Sequence, residues 1–153
     1  MNEDFTDVLA ALLQAEARFL VVGAHAMALH GVPRATGDID LWIQPTVENA
    51  ARVWIALGHF GAPLGSLGIR ESDLHTPGVV MQLGIPPRRI DLMTDLSGLR
   101  FEEAWTGRVV HPIGGLPVPF LGRADLICNK RATGRPKDLA DLDALNEQPP
   151  QEP

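Results

Sequence analysis

Apolar residues follow two different spacings in the first part of the chain. Between Asp4 and Ala17 they recur every three or four positions, which is the spacing of an amphipathic helix. Phe19–Val22 is a short apolar run that ends at Gly23, which indicates a buried strand. Ala24–His30 is rich in alanine, leucine and methionine and precedes a glycine, which predicts a second helix. A strand, a glycine and a helix are therefore predicted without a spacer.

The segment of residues 37–43 is predicted to be a strand that carries two aspartates. Because side chains in a strand point to alternate faces, Asp38 and Asp40 share one face and the intervening Ile39 lies on the other. Trp42 follows on the aspartate face, where it either lines a site or packs under the next helix. One face of this strand is therefore expected to present two neighbouring carboxylates.

Two further β-rich runs lie beyond a glycine-rich stretch. Thr46 is the predicted N-cap of a helix that ends near Leu57. Residues 58–77 are weakly periodic, which indicates irregular structure with at most one short helix. Val79–Ile85 and Arg89–Met93 are separated by two prolines and an arginine. This spacing predicts an antiparallel pair of strands around a tight connection.

The rest of the chain predicts a short helix, two strands on either side of a glycine pair, and two closing helices. Their predicted bounds are Phe101–Trp105 for the short helix, Arg108–Ile113 and Leu116–Phe120 for the strands, and Gly122–Ala132 and Pro136–Leu145 for the closing helices. Proline suits the first position of a helix, which fixes the start of the last one. The predicted fold class is α+β (α/β), a small mixed sheet that carries Asp-x-Asp, with helices packed on it.

Length and composition predict a single globular domain. The chain has 153 residues, of which 45% are hydrophobic and 21% are charged, as in ordinary globular proteins. We expect one domain over residues 1–147. Residues 148–153 contain three prolines, so we expect a disordered tail there.

Charge and cysteine content exclude several classes of protein. The formal net charge of −6 provides no general attraction for nucleic acid, so a polyanion would require a local basic patch. Such a patch could be supplied by Arg88, Arg89, Lys130, Arg131, Arg135 and Lys137. The single cysteine, Cys128, cannot form a disulfide framework. No signal peptide and no apolar run of membrane-spanning length are evident, so we expect a cytoplasmic protein without membrane contact.

Three aspartates form a candidate metal site. Asp91 alternates with apolar residues in its predicted strand, which turns it away from the core as Asp38 and Asp40 are. Mg²⁺ prefers carboxylate oxygens and usually keeps waters or substrate phosphates as further ligands. Two carboxylates from one strand and a third from a neighbouring strand could hold one or two such ions over a nucleoside triphosphate.

The glycine after the first strand is a candidate phosphate site. A helix that begins just after Gly23 directs backbone N–H groups and the positive end of its dipole toward an anion. Glycine also allows a phosphate to approach the backbone closely. This signal is weak alone and gains value because Gly23 precedes Asp38 by 15 residues.

This arrangement resembles the nucleotidyltransferase superfamily of the DNA polymerase β type in its minimal bacterial form. The family has a hydrophobic strand, Gly-Gly or Gly-Ser, a helix, Asp-x-Asp, and an acidic residue on a later strand. The corresponding segments here are Val21-Val22-Gly23-Ala24, Asp38-Ile39-Asp40 and Ile90-Asp91-Leu92. Residues 31–38, 130–132 and 135–141 resemble the small nucleotidyltransferase-like proteins of toxin–antitoxin and abortive-infection systems.

The resemblance implies a role for each matching residue. Asp38, Asp40 and Asp91 are expected to bind Mg²⁺ or Mn²⁺, and Asp91 is also expected to help activate the acceptor hydroxyl. Gly23 and the following amides, including that of Ala24, would hold the triphosphate. Further phosphate contacts are expected from Arg34, Thr36, Lys130 and Lys137. Ala24 stands where many relatives have a serine or a second glycine.

The function that this resemblance implies is transfer of a nucleoside monophosphate from a nucleoside triphosphate to a hydroxyl. The acceptor could be RNA, a protein or a small molecule, and a cognate toxin or antitoxin is a candidate protein partner. An alternative is a non-catalytic binding module of the same fold, which the small size of the chain and Ala24 favour. A third interpretation is metal-dependent phosphodiester hydrolysis, which uses the same carboxylates but does not require the glycine turn.

Overall fold

The computed structural model of the protein describes residues 1–147. Six α-helices, one 3₁₀ helix and six strands form its regular structure. Their bounds are Glu3–Gln14 (α1), Phe19–Val22 (β1), Gly23–Leu29 (α2), Asp38–Ile43 (β2), Val47–Phe60 (α3), Glu71–His75 (the 3₁₀ helix), Val80–Leu83 (β3), Arg89–Met93 (β4), Phe101–Thr106 (α4), Val109–Ile113 (β5), Leu116–Phe120 (β6), Arg123–Thr133 (α5) and Pro136–Glu147 (α6). No helix in this part of the chain is long and apolar enough to span a bilayer.

Every helix and strand predicted from the sequence is confirmed, with differences at the ends. Helix α1 stops at Gln14, before the predicted end at Ala17, because Glu16 adopts a left-handed backbone conformation. Helix α3 continues through Gly58 to Phe60, and Gly61 ends it in the left-handed conformation typical of a helix C-terminus. The predicted disordered tail, residues 148–153, lies outside the described residues.

The six strands form one mixed sheet in the order β3-β4-β2-β1-β6-β5. Strand β1 is antiparallel to β2 and parallel to β6, and β2 is parallel to β4. Strands β3 and β4 form the predicted antiparallel pair, as β5 and β6 do at the opposite edge. The mixed sheet is therefore confirmed, and β1, β2 and β4 lie side by side in its centre.

Helices cover both faces of the sheet. Helices α1 and α3 pack on the face that carries Phe19 and Val21, whereas α2, α4, α5 and α6 pack on the face that carries Leu20 and Val22. Trp42 belongs to this second core, with 1% of its surface exposed and its ring in edge-to-face contact with Phe101. Trp42 therefore packs beneath a helix and does not line a site.

Asn49 joins the segments that enter and leave the central strands. Thr46 caps α3, as predicted, by accepting a hydrogen bond from the Asn49 N–H. The Asn49 side chain is buried, accepts a hydrogen bond from the Arg18 N–H at 2.7 Å, and donates to the carbonyls of Arg18 and Gln44. One side chain thus satisfies three backbone groups at the end of the sheet remote from the aspartates.

We predict that Asn49→Ala lowers the free energy of unfolding by about 2–4 kcal/mol, because it leaves these backbone groups without partners. Urea-induced unfolding followed by circular dichroism measures the loss. Ile55→Ala is the control, since Ile55 lies on the same helix with 53% of its surface exposed and should change stability by less than about 0.5 kcal/mol. Equal losses in the two variants would contradict the role of Asn49.

Candidate functional site

Strand pairing brings the three aspartates together. In the parallel register of β2 and β4, Asp40 lies opposite Asp91 and Asp38 lies opposite Arg89. Asp38, Asp40 and Asp91 each offer one carboxylate oxygen, and these oxygens all lie within 4.8 Å of one another. Ile39 and Ile90 point to the other face of the sheet and are buried, which holds both strands in this orientation.

The cluster has an excess of negative charge. Burial, followed by the charges of Asp38 and Asp91, raises the pKa of Asp40 to about 7, whereas the charge of Arg89 acts in the opposite sense. A divalent cation would offset this repulsion, and three carboxylates at this spacing are the oxygen donors that Mg²⁺ or Mn²⁺ prefers. The residues present therefore fit a divalent metal.

Arg89 and Thr36 hold Asp38 from two sides. The Arg89 Nη2 donates to Asp38 Oδ2 at 2.5 Å and to Asp91 Oδ2 at 3.2 Å. The Thr36 hydroxyl donates to Asp38 Oδ1 at 2.7 Å. The sequence resemblance implies that Thr36 contacts phosphate, and in the structure its hydroxyl orients the Asp38 carboxylate. The Arg89 contact requires the register of two strands, which alternation along a single strand does not specify.

Position 23 requires glycine for two reasons, which are its backbone conformation and its contact with Asp40. It has φ +65°, a left-handed conformation that side chains other than glycine rarely adopt. A Cβ atom on Gly23 would lie 2.1 Å from Asp40 Oδ2. This proximity arises because Val22, the last residue of β1, pairs with Asp40. The glycine turn and the carboxylate cluster are therefore in direct contact.

A cavity of about 490 Å³ opens beside the aspartates. Asp38 and Asp40 line it, together with every residue predicted to contact phosphate: Gly23, Ala24, Arg34, Thr36, Lys130 and Lys137. Asp91 joins them through the carboxylate cluster. The structure thus brings all nine predicted site residues to one place, although they come from five separate segments of the chain.

Two of the predicted phosphate-binding cations already have carboxylate partners. Lys130 is buried, and its Nζ lies 2.9 Å from Asp141 and 3.5 Å from Asp138. Arg34 donates to the other oxygen of Asp141 at 2.5 Å. Burial alone would raise the pKa of Asp141, but hydrogen bonds from Arg34 and Lys130 hold it below its ordinary value.

Asp138 and Asp141 do not line the cavity, but they bind cations that do, a role that sequence analysis does not identify. Asp138 is fully buried, and the Arg135 side chain and backbone N–H both donate to it. The hydrogen bond from Arg135 holds the pKa of Asp138 well below its usual range. The spacing of three residues on one helix places the two aspartates on the same face. Both also belong to the segment of residues 135–141 that carries part of the sequence resemblance. Lys137, by contrast, is exposed and forms no ion pair within residues 1–147.

We predict that Gly23→Ala weakens Mn²⁺ binding by about tenfold or more, because the new methyl group must displace the Asp40 carboxylate. Isothermal titration calorimetry of the metal-free protein measures the dissociation constant. Gly61→Ala is a matched control, since Gly61 has φ +91° but nothing within 4 Å of the added Cβ. Both variants should lose about 1 kcal/mol of stability from the backbone alone. Unchanged Mn²⁺ affinity in Gly23→Ala would contradict the contact.

We predict that Asp40→Asn stabilises the metal-free protein most strongly above neutral pH. Folding raises the pKa of Asp40 from 3.8 to about 7, so the folded state binds this proton more tightly than the unfolded state. Stability is therefore lost as pH rises through this range, and the asparagine variant avoids the loss. In EDTA, the variant's advantage in unfolding free energy should be small at pH 4 and on the order of a few kcal/mol at pH 8.

Urea-induced unfolding at a series of pH values checks this difference. Asp7→Asn serves as the control because Asp7 is exposed on α1. An advantage of Asp40→Asn that does not vary with pH would contradict the charge repulsion.

Comparison with known proteins identifies the fold. No protein-family model matches the chain, and no curated protein shows significant sequence similarity to it. A crystal structure of a proposed nucleotidyltransferase from Thermotoga maritima matches with a TM-score of 0.60 at 18% sequence identity, covering 94% of this chain and 91% of that protein. ANT(2″)-Ia, in complex with adenylyl-2″-tobramycin, matches with a TM-score of 0.56 at 17% identity, covering 92% of this chain and 84% of that one. The chain therefore has the nucleotidyltransferase fold of the DNA polymerase β type, as the sequence resemblance implies.

Proposed function

We propose that the protein is a Mg²⁺-dependent nucleotidyltransferase that transfers a nucleoside monophosphate from a nucleoside triphosphate to a hydroxyl group. The observation that carries this proposal is the contact between the carboxylate cluster and the Gly23 turn, at one wall of the 490 Å³ cavity. The similarity in fold to known and proposed nucleotidyltransferases supports the same class of reaction. Hydrolysis of a phosphodiester would use the same carboxylates, but it would not require phosphate-binding amides after Gly23.

Asp38, Asp40 and Asp91 would hold Mg²⁺ or Mn²⁺. When bound, the cation lowers the pKa of the acceptor hydroxyl and neutralises charge on the phosphates. Thr36 keeps the Asp38 carboxylate oriented for this role through its 2.7 Å hydrogen bond. The pairing of β2 with β4 fixes Asp40 relative to Asp91, so the ligands are positioned before the ion arrives.

In the proposed reaction, the acceptor oxygen forms a bond to the α-phosphorus as the bond from that phosphorus to pyrophosphate breaks. Asp91 helps activate the acceptor by receiving its proton, and pyrophosphate leaves with the released electron pair. Asp91 Oδ1 is buried and accepts no hydrogen bond within the described residues, although Arg89 Nε lies 3.0 Å away as an ion-pair partner. The two atoms are close but poorly aligned for a hydrogen bond.

The triphosphate would lie along the cationic side of the cavity. Lys137 is exposed there, and the Arg135 side chain is 60% exposed despite its bond to Asp138. Arg34 and Lys130 add positive potential while their carboxylate partners hold them in place. The amides after Gly23 would complete the phosphate contacts.

The acceptor is proposed to be a hydroxyl on RNA, a protein or a small molecule. The adenylylated aminoglycoside in the ANT(2″)-Ia complex supports the small-molecule class. Participation in a toxin–antitoxin pair with a cognate protein is proposed from the sequence resemblance. Residues 1–147 are proposed to form the single nucleotidyltransferase domain.

We predict that the double variant Asp38→Asn/Asp40→Asn loses nucleotide transfer by a factor of about 10³ or more, because it removes two of three metal ligands. Incubation of the purified protein with cell extract and each of the four α-³²P-labelled triphosphates, with Mg²⁺ or with EDTA, measures the transfer. The control is Asp7→Asn/Asp143→Asn, which makes the same charge change at two exposed positions.

Transfer retained in the double variant would overturn the proposed site. The alternative is a non-catalytic binding module, which Ala24 favours because it offers no hydroxyl to the cavity. That alternative predicts no labelled product and no Mg²⁺-dependent triphosphate binding in the wild-type protein. Calorimetry with Mg²⁺ and each triphosphate separates the two functions.

A further inference from the structure

Arg89 is a positive charge built into the carboxylate cluster. It lies on β4, opposite Asp38 in the parallel register and two residues before Asp91 on the same face of the strand. Its guanidinium contacts Asp38 Oδ2 at 2.5 Å and both oxygens of Asp91, at 3.0 and 3.2 Å. One side chain therefore bridges carboxylates from two strands.

The contacts of Arg89 differ from those of the other arginines near the site. Within residues 1–147, its side-chain hydrogen bonds and ion pairs all go to the candidate metal ligands. Arg34 instead donates to Asp141, and Arg135 donates to Asp138, and both of these aspartates are outside the cluster. Arg89 is thus placed to act on the carboxylates of the cluster.

We propose that the Arg89 guanidinium competes with a divalent metal for the carboxylates of the cluster. Both are positively charged, and both would bind the same aspartates. The inference rests on the metal site of the proposed function. In the metal-free protein, Arg89 holds Asp38 and Asp91 together, and it gives up at least one of these contacts when a cation binds. Arg89 is a positioning residue that acts through the carboxylates and sets the affinity of the site.

Charge and access favour this role. Three carboxylates and one guanidinium leave two negative charges when all are ionised, which one divalent cation would balance. The Arg89 side chain is 29% exposed, so it is not enclosed by protein on all sides. An added cation a few ångströms from a guanidinium is repelled by it, and this repulsion weakens binding at a partly buried site.

The test compares metal binding in Arg89→Gln, Arg89→Lys and wild type. Calorimetry with MnCl₂ alone measures the dissociation constant for the metal-free full-length protein. We expect Arg89→Gln to bind Mn²⁺ about tenfold or more tightly than wild type, because the repelling charge is gone. Arg89→Lys keeps the repelling charge, so its affinity should stay closer to that of wild type than that of Arg89→Gln does.

The neighbouring arginine provides a matched control. Arg88 is 54% exposed and pairs with Asp4 at 3.2 Å, outside the cluster. Arg88→Gln makes the same chemical change one residue away and should leave the Mn²⁺ dissociation constant unchanged. Equal tightening in Arg88→Gln and Arg89→Gln would show a general charge effect and would overturn the proposal.

Thermal unfolding separates competition from a merely structural role. Without metal, Arg89→Gln should melt below wild type because the carboxylates lose their counter-ion. Saturating Mn²⁺ should close this gap, since tighter binding raises stability more. A loss in Tm that is the same with and without Mn²⁺, or Mn²⁺ affinity that is unchanged or weaker, would overturn the proposal.

A measurement on the wild-type protein is decisive if Arg89→Gln does not fold. The ¹⁵N–¹H signal of the Arg89 Nε is assigned by its loss in Arg89→Lys and followed during Mg²⁺ titration. The proposal requires a saturable shift of this signal while that of Arg88 stays constant, and a constant Arg89 signal at saturation would overturn it. If the Arg89 signal shifts with Mg²⁺ but the protein transfers no nucleotide, the proposed function is overturned. The competition between Arg89 and the metal is then still supported.

Discussion

Pairing between β2 and β4 forces Asp40 and Asp91 to lie next to each other, and the rest of the site depends on this contact. Two like charges at this distance repel, so the pair persists only because something else holds the strands in register. Buried Ile39, Leu41, Ile90 and Leu92 on the opposite face do so, each with 2% or less of its surface exposed. Slipping the register by one residue would bury the carboxylates and expose these apolar side chains.

Three residues around the aspartates help the repelling carboxylates to stay in one cluster. Arg89 offsets part of the charge, and Thr36 fixes the orientation of Asp38. Gly23 leaves the space that the Asp40 carboxylate occupies, which a methyl group would fill. The glycine that resembles a phosphate-binding turn is therefore also a requirement for Asp40 to take its place in the cluster.

The helices and strands were largely predictable because local periodicity in the sequence indicates them. Alternation placed Asp38, Asp40 and Asp91 on the face opposite Ile39 and Ile90, and helical spacing identified α1 and α3. Trp42 shows the limit of this reasoning. Alternation assigned it correctly to the aspartate face, but the helix that covers this part of the face follows from tertiary packing against Phe101.

The ionic partners within the site were less predictable because they join distant segments. Arg34 and Asp141 are 107 residues apart, and nothing in either segment specifies that they meet. Helical spacing indicates that Asp138 and Asp141 share a face, but it does not indicate that Lys130 lies across from them. Likewise, Arg89 appears in the sequence as part of a basic patch, whereas its contact with Asp38 requires the β2–β4 register.

These partners change how binding of a triphosphate should be understood. Arg34, Lys130 and Arg135 share two carboxylates, so most of their positive charge is balanced before a nucleotide enters. Cations that are fixed in this way act mainly by shape and position, and they attract a free polyanion weakly. Under the proposed function, the divalent metal therefore provides most of the attraction for the phosphates, and the carboxylate cluster controls both nucleotide binding and chemistry. The Arg34–Asp141 bond also ties the segment before Asp38 to α6, so the cavity takes its shape only when the last helix is docked.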